Sequence, residues 1–289
     1  MATEISRWQK IKGSIVILAP EMVSKLNIEL QKIPRNADLI LMALMELSNH
    51  FQNPRAQLYL REGVMRRVGI IKRCIERIFE IHPPTRETLL SRSELDDLTI
   101  YLQTFAGHVY GVLDNLAWVC VLLAGEDITT RNRMGIGLFK SGTKEFLPPL
   151  LNEYLSDGKT KEWFDKYAKS YRDSTAHRVP VYVPPKMLNP AEAEEFNILE
   201  RRSMEALLGM DVDLHERLYA QQEALGGPAN IMLLTSSDEE ERTPEIPFHP
   251  QVICDWLTVH ELLEKYTAGI CQQYGFVVRT RPIDAGRPD

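Results

Sequence analysis

The 289-residue sequence is short of several features that define whole classes of protein. Cysteine is scarce: Cys74, Cys120, Cys254 and Cys271 stand far apart and form no C-x-x-C pair. That excludes a disulfide-stapled scaffold and a cysteine-clamped zinc module, and it fits buried thiols in a reducing, cytoplasmic setting. Long hydrophobic runs are missing too. The longest, LAWVCVLLA at 116–124, is far below the ~20 residues of a membrane helix, and Asp114 and Asn115 precede it directly, so no membrane partner is expected. The N-terminal apolar run, Ile15–Ala19, is too short for the core of a signal peptide.

Familiar enzyme signatures are absent as well. There is no G-x-x-x-x-G-K-[ST], no G-x-G-x-x-G after a strand, no H-E-x-x-H and no G-x-S-x-G. The glycine- and lysine-bearing segment MGIGLFKSGTK follows no strand and reads as an ordinary interhelical loop. His50, His82, His108, His177, His215, His249 and His260 are scattered without metal-ligand spacing, so neither a metal nor a cofactor is expected. His108 reads as a core histidine satisfied by one hydrogen bond.

What the chain does have is apolar content, 44%, in helical rhythm. Residues 1–35 read as an N-terminal arm or cap with a candidate strand, SIVILA, ending at Pro34. Residues 36–275 read as one helical domain, and 276–289 as a tail with a short strand. Within the domain, Asn36 and Pro54 are placed to start the first two helices, and Pro83 and Pro84 stop the second. A third helix, from about Ser93 to Ala124, has a serine cap, early acids and Gly125 as its stop. Gly107, Gly111, Asp114 and Trp118 lie on one stripe of it, where two glycines would admit a neighbouring backbone and set Asp114 beside it. Pro190 starts a charged helix continuing less regularly to Gly226, SSDEEERTPEIP reads as a solvated loop, and a last helix follows from His249. The fold class is therefore all-α, a multi-helix bundle.

Charge is unevenly placed. The net charge is −6, which argues against a broad nucleic-acid-coating surface. Residues 129–180, however, hold ten Lys or Arg against six Asp or Glu, a local +4 that leaves −10 for the remainder. Within this window an aromatic-bearing helix ends in YRDSTAHRVPVYVPP, where Arg172, Asp173, His177 and Arg178 crowd ahead of the prolines.

The order R-D-S-T-A-H, an arginine, an acid beside it, and a histidine after four intervening residues at a helix end in an all-helical chain, resembles the signature of the HEPN superfamily. The resemblance implies a HEPN-like core and a metal-independent endoribonuclease acting as a homodimer. It implies Arg172 and His177 as the catalytic pair, with a toxin or defence setting and an antitoxin or other regulatory partner. The residue types suit that chemistry independently. RNA carries its own nucleophile, the 2′-OH, so cleavage needs proton transfer, for which histidine is matched near neutrality, and a cation for the phosphate, for which the guanidinium fork is matched.

Asp173 and Ser174 are candidate supporting groups, although Ser174 fits equally a helix-terminal hydroxyl bonded to backbone. Asp114 needs a partner, either Arg172 or another cation or tyrosine hydroxyl. Arg178 and Lys169 are candidate contacts to RNA phosphates. Residues five apart on a regular helix end about 140° apart, so Arg172 and His177 meet only through a distorted last turn, a reaching arginine or a second subunit. Two other readings use the same residues: a non-catalytic HEPN-like module that binds a nucleotide or protein, and a purely structural helical protein.

Overall fold

The structure, a computed structural model, describes residues 18–125, 133–177, 179–234 and 245–280, the side chains of 175–177 excepted. The described helices are α1 (Pro20–Asn49), α2 (Pro54–Leu58), α3 (Arg66–Ile81), α4 (Arg92–Leu123), α5 (Ser141–Lys144), α6 (Pro149–Ser156), α7 (Gly158–Trp163), α8 (Lys169–His177), α9 (Pro190–Leu208), α10 (Val212–Glu223) and α11 (Phe248–Tyr274). Wider π-helical turns, Tyr59–Met65 and Phe164–Ala168, join α2 to α3 and α7 to α8. Strands β1 (Ile231–Leu233) and β2 (Glu245–Pro247) form an antiparallel pair with Met232 opposite Ile246. The architecture is all-α, with this ribbon as a minor addition.

α1 differs from the expectation of an arm ending at Pro34. It starts at Pro20 and runs through Pro34, crossing the expected arm–domain boundary, and Asn36 lies in its interior rather than at a cap. An interior proline costs about 3 kcal/mol. Ile33, Ile40, Leu44 and Leu47, fully buried on both sides of Pro34, each contribute up to about 1.5–3 kcal/mol, and that face packs on α11. Tertiary burial wins. The SIVILA segment lies largely outside the described residues, and its Leu18 is buried in the core without strand structure.

α4 fulfils its expected role as the central helix. Ser91 and Glu94 form a reciprocal capping box, one residue pair earlier than a start at Ser93, and Arg86 grips the Glu94 carboxylate with both terminal nitrogens at 2.9 and 3.1 Å. Those donors hold the Glu94 carboxyl down at about 2. Leu98, Leu102, Val109, Val112, Leu116 and Val119 are buried against α3, α8 and α11, and Gly125 at φ +76° ends the helix. By composition alone this helix is long and apolar enough to cross a membrane, but most of that stretch is buried inside the fold.

Three expectations for the C-terminal half change. The residues expected to form one long helix to Gly226 are a hairpin, α9 and α10, turning at Met210 with φ +62° and closing a small core of Leu199, Ala206 and Leu218. Residues 245–247 of the expected loop form β2, because Ile246 is buried and its strand is paired. In the tail, residues 276–280 form no strand. Glu46 accepts from the backbone of Arg279 and Thr280, and Phe276 stacks on His50 at 5.0 Å.

The segment carrying the RDSTAH motif is fastened by one carboxylate. Asp255 of α11, 1% exposed, accepts from Trp163 Nε1 at 2.8 Å, Gln251 Nε2 at 2.7 Å and the Tyr171 hydroxyl at 3.2 Å. Eight residues of regular helix would leave Trp163 and Tyr171 about 80° apart. The wider turns over Phe164–Ala168 slow the rotation and bring both donors to one carboxylate.

Burial raises the Asp255 carboxyl to about 7, against the pull of its three donors. Its unfolded value lies near 4, so the folded chain holds the extra proton between about pH 4 and 7. That contribution is complete below pH 4 and is lost as pH rises through 7. In urea melts from pH 4 to 8, wild type is expected to lose stability relative to Asp255→Asn up to about pH 7 and then run parallel to it. Asp255→Ala, which strands three buried donors, is expected to cost about 3–5 kcal/mol.

Candidate phosphate-binding site

Because Tyr171 points inward to Asp255, the next residue on α8 turns outward. Arg172 emerges with its side chain half exposed, Nη1 donating to Asp173 Oδ1 at 2.9 Å, and its guanidinium lies 5.7 Å from the Tyr110 ring centre on α4. The carboxylate and the ring face both favour the cation, and the guanidinium is held above its ordinary value first by the Asp173 bond. Lys169, one turn earlier, is exposed.

The expected supporting residues divide. Asp173 is half-buried and braces Arg172. Ser174 is buried and donates to the Ser170 carbonyl at 2.7 Å, the backbone-bonded alternative. α8 is helical through His177, the His177 side chain lies among those not described, and Arg178 lies outside the described residues. The segment's distortion sits at 164–168, upstream of the motif. A regular helix from Lys169 therefore sets the backbone positions 172 and 177 about 140° apart around the helix axis.

Asp114 does not pair directly with Arg172. Among the described residues no cation lies within 4 Å of its carboxylate. Burial pushes its carboxyl up, and Lys140, Arg172 and Arg67 pull it back from longer range. Three cations thus surround one half-buried acid without closing on it. Lys140 Nζ instead donates to the Met134 carbonyl, and Gly137 N donates to Thr143 Oγ1 at 2.9 Å, so the MGIGLFKSGTK segment is internally bonded, and it is helical at both ends, a 3-10 turn at Arg133–Gly135 and α5 at Ser141–Lys144, rather than loop throughout.

The glycine stripe of α4 works differently from the expectation of a backbone neighbour. Gly107 is exposed, and a Cβ there would meet nothing within 4 Å. At Gly111 a Cβ would lie 2.4 Å from Arg67 Nη1, so the space is taken by a side chain from α3. Arg67 Nε donates to Asn115 Oδ1 at 2.9 Å, and Nη1 stands 3.1 Å from His108 Nδ1. Burial, followed by the Arg67 charge, lowers the His108 pKa and favours the neutral ring; the residue makes one hydrogen bond but is half-buried rather than in the core.

Arg67, Tyr110 and Asn115 were not singled out in the sequence. Tyr110 and Asn115 flank Asp114 on its own helix, at four residues before and one after, a local signal available to a reader. Arg67 is legible only from the fold.

Comparison with protein-family models, with curated proteins and with solved structures returns no match.

The two glycines give a paired test. Gly107→Ala is expected to stabilise by about 0.5–1 kcal/mol, since it gains helix propensity in open space. Gly111→Ala gains the same propensity but displaces the Arg67 guanidinium and its two hydrogen bonds. It is therefore expected to fall about 1–2 kcal/mol below Gly107→Ala in urea denaturation.

Proposed function

We propose that the protein is a metal-independent endoribonuclease of HEPN type, in which Arg172 binds the scissile phosphate and His177 transfers protons. One observation carries this reading: Arg172 is an exposed guanidinium held in place by Asp173 and Tyr110, on the helix whose last residue is His177. An arginine so held loses little side-chain freedom when it takes a phosphate, and its fork matches two non-bridging oxygens.

In this scheme the ribose 2′-oxygen attacks the adjacent phosphorus as its proton passes to a base, and the bond to the 5′-oxygen breaks as that oxygen takes up a proton. The products are a 2′,3′-cyclic phosphate and a 5′-hydroxyl. Arg172 stabilises the charge on the pentacoordinate phosphate, and an imidazole titrating near neutrality suits the proton transfers. Because α8 is regular between the two residues, the scheme further places Arg172 of one protomer and His177 of a second on one phosphate, in a two-fold dimer. The biological setting proposed with it is a toxin or defence protein held in check by a regulatory partner.

A second reading, a nucleotide-binding module without cleavage, is favoured by a specific feature. Phe139 and Phe164 stack at 4.0 Å, and Tyr110, the ring beside Arg172, lies 6.3 Å from Phe164, so a run of aromatic rings leads up to Arg172. Aromatic faces of this kind stack bases.

Incubation of the purified protein with mixed-sequence RNA in EDTA separates the readings. Cleavage leaving 2′,3′-cyclic phosphate ends is expected, with Arg172→Ala and His177→Ala each lowering the rate by at least about 100-fold at unchanged far-UV ellipticity. Cleavage that persists in both variants would remove the proposal, and nucleotide binding without any cleavage would establish the second reading.

A further inference from the structure

The second cation of this region, Arg67, has an arrangement that sets it apart on its own helix. Of the five Lys and Arg residues of α3, four have carboxylate partners: Arg66 with Glu62, Lys72 with Asp38, Arg73 with Glu76, and Arg77 with Glu80. Arg67 alone is held by neutral groups, the Asn115 carbonyl oxygen and the His108 ring, and among the described residues it has no carboxylate within 4 Å.

Its position is also built. Gly111 leaves the space that the guanidinium fills, and Asn115 and His108 hold Nε and Nη1. Unlike a solvated surface arginine, this one has already given up side-chain freedom, yet among the described residues no carboxylate pairs with it at contact distance. Such a group presents a fixed positive charge to an anion from solution.

The α4 surface places this charge relative to the site. Arg67 comes from α3 over Gly111 and Asn115, while Arg172 comes from α8 over Tyr110, and α3 and α8 both pack on α4. Asp114 lies between these positions on the helix, within range of both charges and of Lys140. Exposed Gly107 lies one turn before Gly111 on the same stripe, with no atom within 4 Å of where its Cβ would be. Two fixed guanidiniums thus flank a strip of α4 that is bare of side chains at Gly107.

We infer that Arg67 is a second phosphate-binding residue, which takes a phosphate of the RNA backbone neighbouring the one at Arg172. The site then grips a strand at two phosphates, and Arg67 positions the strand without taking part in bond breaking. The inference rests on the reading of the site as one for RNA phosphates.

The test uses two probes on the intact protein. Binding of a fluorescent 2′-O-methyl RNA 12-mer, which lacks the nucleophile and cannot be cut, is measured by anisotropy across a salt series. Cleavage of the all-ribo strand is measured separately. Arg67→Ala is expected to weaken 12-mer binding about 10-fold and to reduce the salt slope by about 0.7, the share of one phosphate contact on a single strand. In cleavage it is expected to raise KM with kcat nearly unchanged.

Gly111→Ala, which displaces the guanidinium without deleting it, should reproduce the loss of affinity. Arg67→Lys, which keeps the charge without the fork, should keep the slope and recover part of the affinity. Thermal melts of all three guard against misfolding.

Unchanged affinity and slope in Arg67→Ala, with binding lost in Arg172→Ala, would overturn the role of Arg67 and leave the proposed function standing. A wild-type protein that binds the 12-mer through Arg67 but cuts no RNA would remove the ribonuclease reading and leave Arg67 as an RNA contact. A wild-type protein that binds no 12-mer contradicts both.

Discussion

The orientation of the candidate site depends on a carboxylate buried far from it. Asp255 on α11 gathers donors from Trp163 and Tyr171, which lie 92 and 84 residues away in the chain, and Gln251 adds a third from one turn before. Three neutral donors around one buried acid satisfy it without a counterion, and its carboxyl is nevertheless raised to about 7 by the cost of burial. The constraint acts through helix phase. With Trp163 and Tyr171 both fixed to Asp255, the rotation of α8 is fixed, so Arg172 must leave on the side of Tyr110. The π-helical turns at 164–168 are the local adjustment that lets both donors reach, and they explain why the motif that follows can be a regular helix.

The electrostatic character of the region follows from what surrounds that helix. Arg172 is ion-paired with Asp173 while its side chain stays half exposed, Arg67 is held by neutral partners, and Lys140 bonds a backbone carbonyl. Asp114 remains between them, raised by burial and unpaired with any described cation at contact distance. Among the described residues the Arg172–Asp173 pair is the one salt bridge these groups make. The cluster leaves charge available, which is the property the proposed phosphate chemistry needs and the reason a purely structural reading of the helix ending explains less.

Features that depend on neighbours in the chain were legible in the sequence. The serine cap, early acids and terminal glycine of α4, and the prolines that open α2 and α9, act over a few neighbouring residues. The RDSTAH order could likewise be placed on a helix end by its aromatic spacing and the prolines beyond it. What was not legible depends on distant partners. Pro34 reads locally as a helix stop, and only the buried face shared with α11 keeps α1 continuous. Gly111 reads as room for a backbone, whereas its occupant is Arg67, 44 positions earlier in the chain. Beyond Gln251 one turn before it, the Asp255 network has no local signature, since Trp163 and Tyr171 come from other helices.

The central claim of the proposed mechanism is that Arg172 and His177, about 140° apart on a regular α8, act together across two protomers. Mixing the inactive Arg172→Ala and His177→Ala proteins under conditions that exchange subunits, then assaying RNA cleavage in EDTA, tests it directly. Random exchange makes about half of the dimers mixed, each with one intact composite site, so the mixture should recover about a quarter of wild-type activity. A mixture that stays inactive although mixed dimers are demonstrated, or a wild-type protein that cleaves RNA as a monomer, would contradict the account.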